Sequence, residues 1–245
     1  MAEKESPHDY ACMVCGERLV YNDSSSSHSC DYCGLEFTST IYCPQGHFVC
    51  DSCHSTEALD FLSKMAESEK SDSPRDIVET AFRHPSFKFH GPEHHSLVPA
   101  ALLIAMKNRG LTRTNGEPIS ADLVREGIRR GAQIPGGFCG TAGNCGACVG
   151  AGIAVALYIG STPTKGPERK SAHIATITAL EMVTDGLIRC CKRSSLYGIS
   201  AATRVLRDSH SVELGPEPPQ KSCENWERNR DCAKSDCVFF PDGGE

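Results

Sequence analysis

The sequence predicts a chain in two parts, a small β-rich, cysteine-rich module followed by a mainly α-helical domain. Three observations carry that prediction. Seven of the 15 cysteines fall before residue 54 in close pairs, with little apolar sequence to fold around them. The other eight all follow residue 138. Downstream of the first cluster, apolar residues recur at helical spacing between capping residues and glycines.

Composition narrows the classes. With 245 residues, 39% hydrophobic and 23% charged, the chain suits one medium domain plus a smaller module and excludes wholesale disorder. Its longest apolar stretch, Gly150 to Ile159, falls far short of the roughly 20 residues of a membrane span. The opening Met-Ala-Glu-Lys-Glu-Ser has no apolar signal core. These features predict a cytoplasmic protein with no membrane partner. A net charge of −6 gives phosphate backbones no general attraction, so a protein or small-molecule partner is expected ahead of nucleic acid. Only a local patch such as Arg189, Lys192 and Arg193 argues for an anion contact. In a reducing compartment, close cysteine pairs read as metal ligands or redox thiols rather than disulfides.

The first module spans residues 1–55. Cys12-x-x-Cys15, Cys30-x-x-Cys33, Cys43-x3-His47 and Cys50-x-x-Cys53 supply eight ligands, the number two four-coordinate zinc sites require. Gly16 and Gly34 follow two of the pairs directly, where a tight turn lets backbone amides face sulfur. Metal binding would supply much of the folding free energy here. The run Cys30 to Cys53 resembles the first six ligands of a RING finger, with the last pair displaced upstream to Cys12 and Cys15. That resemblance implies a treble-clef or cross-brace module with Cys30, Cys33, Cys50 and Cys53 in one site and Cys12, Cys15, Cys43 and His47 in the other. Two sequential ribbons would use the same ligands differently. His54 is a weaker ninth candidate. Ser24–Ser27 reads as a polar loop and Glu36–Tyr42 as a strand.

Residues 56–85 read as a helical connector: a helix over Thr56–Met65, then a Ser/Glu/Lys-rich stretch from Glu67 to Pro74. A helical domain follows over 86–214, with helices at Leu97–Arg109, Ala121–Arg130 capped by Ser120, Asn144–Tyr158, Glu168–Thr184 and Leu196–Arg207. Gly215-Pro-Glu-Pro-Pro-Gln then opens a cysteine-containing tail, 215–245, expected to pack on that domain.

Three motifs in the helical domain carry potential chemistry. His90-Gly-Pro-Glu93-His94-His95 sets imidazoles and a carboxylate at a helix start, a donor set suited to zinc, iron or acid–base work; His90, Glu93 and His94 are the favoured members. The glycine-dense run from Gly136 to Gly152 holds Cys139, Cys145 and Cys148. Near a helix N-terminus the positive dipole end stabilises thiolate, so Cys145 and Cys148 are candidate nucleophiles or ligands. Close helix packing through Gly146, Gly150 and Gly152 is the competing explanation for the small residues. Cys190 and Cys191, flanked by Arg189 and Arg193, and the tail set Cys223-x8-Cys232-x4-Cys237 complete the inventory. Cys190 or Cys191 is the natural fourth ligand for a tail metal site.

The motifs HGPEHHSLVPAALL, GGFCGTAGNCGACVGAGIA and RCCKR, with the closing C-x8-C-x4-C, resemble the uncharacterised family catalogued as domain of unknown function 5714. The resemblance spans most of the chain, extends to an N-terminal cysteine cluster, and implies a domain boundary but no reaction. Gly136 to Gly160 is also similar to small helical redox proteins with a Gly-Cys-Ala signature, although Pro99-Ala-Ala-Leu stands where their companion motif would be.

These residues support an expectation of redox or sulfur chemistry. It would use an iron–sulfur cluster or reactive thiols at Cys139, Cys145, Cys148 and Cys190 or Cys191 beside His90, Glu93 and His94. A metal- or thiol-dependent oxidoreductase or a sulfur transferase fits that chemistry. The alternative is a non-catalytic zinc adaptor whose RING-like module contacts a protein or RNA partner. A third reading makes the histidine segment a hydrolytic zinc site with an open fourth position.

Overall fold

A computed structural model describes residues 12, 14–50, 53, 57–229 and 231–243. Two strands, β1 (Val20–Ser29) and β2 (Glu36–Tyr42), pair antiparallel, with an irregular register between Tyr21 and Ser26. Ser24–Ser27 therefore belongs to a strand and not to a loop. Four exposed serines offer no alternation for a sequence pattern to detect; Ser26 and Ser27 pair with Ser39 and Thr38 of β2, and Ser24 and Ser25 fall in the irregular stretch before them.

Eight α-helices with described bounds follow among the described residues. They are α1 (Ala58–Ser68), α2 (Pro74–Arg83), α3 (Glu93–Asn108), α4 (Ala121–Ala132), the one-turn α5 (Phe138–Thr141), α6 (Gly146–Ile159), α7 (Gly166–Met182) and α8 (Cys191–His210). Two starts follow the expected capping chemistry, with the Ser73 and Ser120 hydroxyls accepting from the amides of Asp76 and Leu123. Helix α2 lies inside residues 56–85, read from the sequence as a helical connector with no second helix bounded in it. Its first residue, Pro74, suits a helix start, where the missing N–H costs nothing. Among the described residues no helix is long and apolar enough to cross a membrane.

Helix α3 is the axis of the body, buried without a break from His94 to Met106 and touched by α1, α2, α4, α6 and α8. Such an all-round apolar helix needs neighbours that approach closely. Glycines on the facing helices provide that approach. A Cβ on Gly131 of α4 would overlap the His95 carbonyl, and one on Gly150 of α6 would sit 2.9 Å from Pro99 Cδ. Pro99, inside α3, thus packs where a neighbouring helix offers no side chain. The glycine-rich run is in part the packing device set against the reactive reading, and the same run also borders a cleft described below.

One cluster of buried side chains runs from Cys30 to Phe239 and joins the strand module to the helices. Tyr32 meets Phe61 edge-on at 4.8 Å between ring centroids. His84 stacks on Phe61 and donates from Nε2 to the Cys53 carbonyl at 2.6 Å. The tail returns over α8, where Phe239 packs against Tyr197.

Candidate functional site

The strand module interleaves its ligands. The knuckles at Cys12–Gly16, Cys30–Gly34 and Cys43–Gly46 each close with a glycine amide donating to the first cysteine's carbonyl at 2.8–2.9 Å. All three glycines have positive φ, 79°, 70° and 87°, which a side chain would resist. The β1–β2 hairpin carries the second knuckle at its turn, and β2 leads directly into the third. Cys12, Cys15, Cys43 and His47 thereby converge in one group, and Cys30, Cys33, Cys50 and Cys53 in another, with the ligand atoms of each group within 4.8 Å of one another. Both groups could hold a metal ion. Backbone amides of Val14, Gln45 and Cys50 point at the sulfurs of Cys12, Cys43 and Cys30, each at 3.4 Å. Among the described residues these are the groups of three or more candidate ligands that close to this spacing. His54 lies outside the described residues.

A cleft of about 620 Å³ opens where the start of α3, the α4–α6 connection, the end of α7 and the start of α8 meet. His90, His95, Cys139, Cys145, Cys190, Cys191, Arg189 and Ser194 all line it, so three motifs far apart in sequence share one wall. Cys139 is exposed on α5, whereas Cys148 is fully buried one turn into α6, behind Cys145.

Cys145 is the N-cap of α6. Its thiol is pulled down to about 5, first by a hydrogen bond from the Cys148 thiol and then, against opposing burial, by the Cys148 amide, the Ser194 hydroxyl and the Ala147 amide. The same pairing and burial push Cys148 far upward. The pairing therefore favours charge on the outer sulfur and the proton on the inner one, the asymmetry a helix N-terminus promotes. Cys190 and Cys191 are both raised by burial, Cys191 to about 11.

The histidine segment divides differently from the sequence expectation. His94 is fully buried, with Nε2 donating to the Lys88 carbonyl at 2.8 Å and Nδ1 3.1 Å from Ser195 Oγ. Burial drives its pKa down to about 3, so it is a neutral core residue. Glu93 accepts from the Lys88 amide at 3.1 Å and folds over Gly91, closing the turn before α3 rather than lining the cleft. His95 takes the place expected of His94. Its Nδ1 donates to the Ile134 carbonyl at 3.1 Å, which leaves Nε2 as the acceptor, and its ring covers Gly146. One helical step, about 100°, separates a core histidine from a cleft histidine, and the face shared by His95 and Pro99 at i and i+4 was the available signal. His90 pairs with Asp231 at 3.2 Å through Nε2, while its buried Nδ1 has no hydrogen-bond partner among the described residues. Glu93 Oε1 lies 3.8 Å from His94 Nε2, but that nitrogen is committed to the Lys88 carbonyl and His90 Nε2 to Asp231, and among the described residues His90, Glu93 and His94 do not close to the ligand spacing of a hydrolytic zinc site.

Cys223, Cys232 and Cys237 line a second, smaller cavity together with Cys190, which contributes to both cavities. Comparison of the chain with curated proteins and with solved structures finds no match. The profile of the Family of unknown function (DUF5714) matches residues 62–240, a span that begins after the two ligand groups and takes in the cleft, its three motifs and the tail cysteines, and the chain belongs to that family.

Proposed function

We propose that this protein carries out thiol–disulfide or related sulfur chemistry in the cleft, with two structural zinc ions in the N-terminal module. The observation that supports it most is the Cys145–Cys148 pair at the start of α6, with Cys145 at the helix N-cap on the cleft wall and Cys148 buried behind it, a pairing that lowers the outer thiol and raises the inner one. In the simplest reaction the Cys145 thiolate attacks one sulfur of a substrate disulfide. That S–S bond breaks, one substrate thiolate leaves, and a mixed disulfide forms. The Cys148 thiol then gives up its proton and attacks Cys145. The second substrate thiolate departs, and the protein keeps a Cys145–Cys148 disulfide while the substrate has gained two electrons. His95 Nε2, an acceptor on the cleft wall, is the proposed proton carrier, and Arg189 favours an anionic group at the mouth.

Zinc fits the two ligand groups by donor type and by spacing. Tetrahedral Zn–S bonds of about 2.3 Å put ligand atoms about 3.8 Å apart. Cys15 and Cys43 are separated by 3.5 Å, Cys33 and Cys50 by 3.9 Å, and Cys43 Sγ and His47 Nδ1 by 3.7 Å. With four protein ligands each, such sites are closed to substrate and serve the fold.

Alkylation of the intact protein across pH, read residue by residue by mass spectrometry, tests the thiol reading. Cys145 should react with a midpoint near 5, and Cys148→Ser should move that midpoint toward the ordinary thiol range and remove the internal disulfide. A Cys145 inert at neutral pH, with zinc intact, would favour the adaptor reading instead.

A further inference from the structure

We propose that Cys190, Cys223, Cys232 and Cys237 hold an iron–sulfur cluster, a metal site separate from the two N-terminal groups and independent of the thiol chemistry assigned to Cys145. The four cysteines surround one cavity between the start of α8 and the tail. Three lines of evidence on these residues converge.

The first is local geometry. The Asn225 amide points at Cys223 Sγ and the Lys234 amide at Cys232 Sγ, each at 3.4 Å and two residues on. Those are the contacts that Val14 makes to Cys12 and Gln45 to Cys43 in the N-terminal ligand group. Amides aimed at sulfur stabilise thiolate and support metal ligands from behind. Asn229 adds a side-chain amide 3.9 Å from Cys190 Sγ. The tail is pinned in this shape by Lys221 and Cys223 amides donating to the Val238 and Phe239 carbonyls, both at 2.8 Å.

The second is charge. Lys192 is 4% exposed, and its ammonium donates to neutral acceptors, the Phe82 carbonyl at 2.7 Å and Asn225 Oδ1 at 3.3 Å. Arg228 also reaches Asn225 Oδ1, at 2.7 Å. A buried cation needs counter-charge close by. The buried Glu79 carboxylate on the same cavity wall supplies part of it, and four thiolates around a metal core add net negative charge facing both Lys192 and Arg228.

The third is spacing. The N-terminal ligand atoms close to within 4.8 Å, but no three ligand atoms of the tail set do so among the described residues. A single tetrahedral ion draws its sulfurs to about 3.8 Å. A polynuclear cluster places iron between them and holds them farther apart, and cysteine thiolates are its usual ligands. The wall of Phe82, Phe89, Trp226, Phe239 and Phe240 would keep it from solvent.

Occupation would also withdraw Cys190 from the cleft, leaving Cys139, Cys145 and Cys191 as the thiols on that wall. The test is anaerobic purification of the full chain after growth with added iron, followed if needed by reconstitution with ferrous iron and sulfide. The expected result is iron, acid-labile sulfide and a visible absorption band that Cys232→Ser and Cys237→Ser abolish and Cys145→Ser retains, with the zinc content unchanged in all three. In unmutated protein, Cys190, Cys223, Cys232 and Cys237 should resist alkylation until the cluster is stripped, a readout that does not depend on any variant folding. Absence of bound iron after reconstitution overturns the proposal. So does loss of an extra equivalent of zinc, rather than of iron, in Cys232→Ser, which would make this a third single-ion site.

Discussion

The N-terminal module and the cleft use the same side chain to opposite ends. In the module, seven sulfurs and the His47 imidazole form two sets of four ligand atoms, each close enough for a single ion, with backbone amides aimed at three of the sulfurs. In the cleft, Cys139, Cys145, Cys190 and Cys191 come from three separate parts of the chain to one wall, and Cys145 has a sulfur partner, Cys148, one turn behind it. The difference teaches that local spacing does not decide what a cysteine does. Cys12-x-x-Cys15 and Cys145-x-x-Cys148 have equal spacing. The first lies on a knuckle ending in a positive-φ glycine, which turns both sulfurs to one point. The second lies on a helix start, which exposes one sulfur and buries the other.

Metal removal should break the comparison most forcefully. Structural zinc contributes an apparent binding free energy of about 10–16 kcal/mol at neutral pH, all of it lost to a strong chelator. Chelated protein should become protease-sensitive over residues 12–50 while α3 to α8 stay protected. Loss of helical protection at the same chelator dose would show instead that the Tyr32–Phe61 and His84–Cys53 contacts weld module and helices into one cooperative unit.

Much of this contrast was legible in the sequence. The eight N-terminal ligands follow from residue type and spacing, their crossed pairing is what the RING resemblance implies where spacing alone also allows two sequential ribbons, and the Ser120 cap and the glycines after the knuckles could be read directly. Three features could not. β1 has a polar serine run whose strand state comes from its partner. Glu93 and His94 look functional because they neighbour His90 and His95, but the turn before α3 takes the first and the core the second. And Cys190 is separated by more than thirty residues from the tail cysteines it joins, so only the return of the chain over α8 selects it over Cys191.

Glycine substitutions sharpen the comparison at intermediate scale. Gly131→Ala in α4 puts a methyl group into the His95 backbone carbonyl, which has no rotamer to escape by. The cost should reach the upper part of the roughly 1–3 kcal/mol range for overpacking. At about 2–4 °C per kcal/mol for a chain of this size, the melting temperature should fall by about 6–12 °C. Gly34→Ala meets open space and carries only the strain of φ +70°, about 1–2 kcal/mol, against a metal site that holds the knuckle closed. Thermal melts of the two variants should therefore differ clearly, with Gly131→Ala the worse. Equal effects would mean that the helical body relaxes more freely than its packing implies.

Acid gives the finest separation of the two regions. His94 has a folded-state pKa near 3 against an unfolded value of about 6.5, so between these the unfolded chain binds the extra proton. Stability is thus complete above about pH 6.5 and is lost as pH falls toward 3, by about 2 kcal/mol at pH 5. Carboxylates held low by arginine, such as Glu126 beside Arg129 and then Arg130, push in the same direction but only at lower pH. His94→Gln can keep a donor to the Lys88 carbonyl while removing the titration. Denaturant midpoints at pH 7 and pH 5 should converge for that variant relative to the parent protein, read on the helical signal. Metal release, followed separately by a zinc indicator, should be the same in both proteins, because the acid sensitivity of the module belongs to its own ligands. If His94→Gln leaves the helical midpoint as acid-sensitive as before, then the buried histidine is not what limits α3, and the core and the ligand groups fail by a common cause.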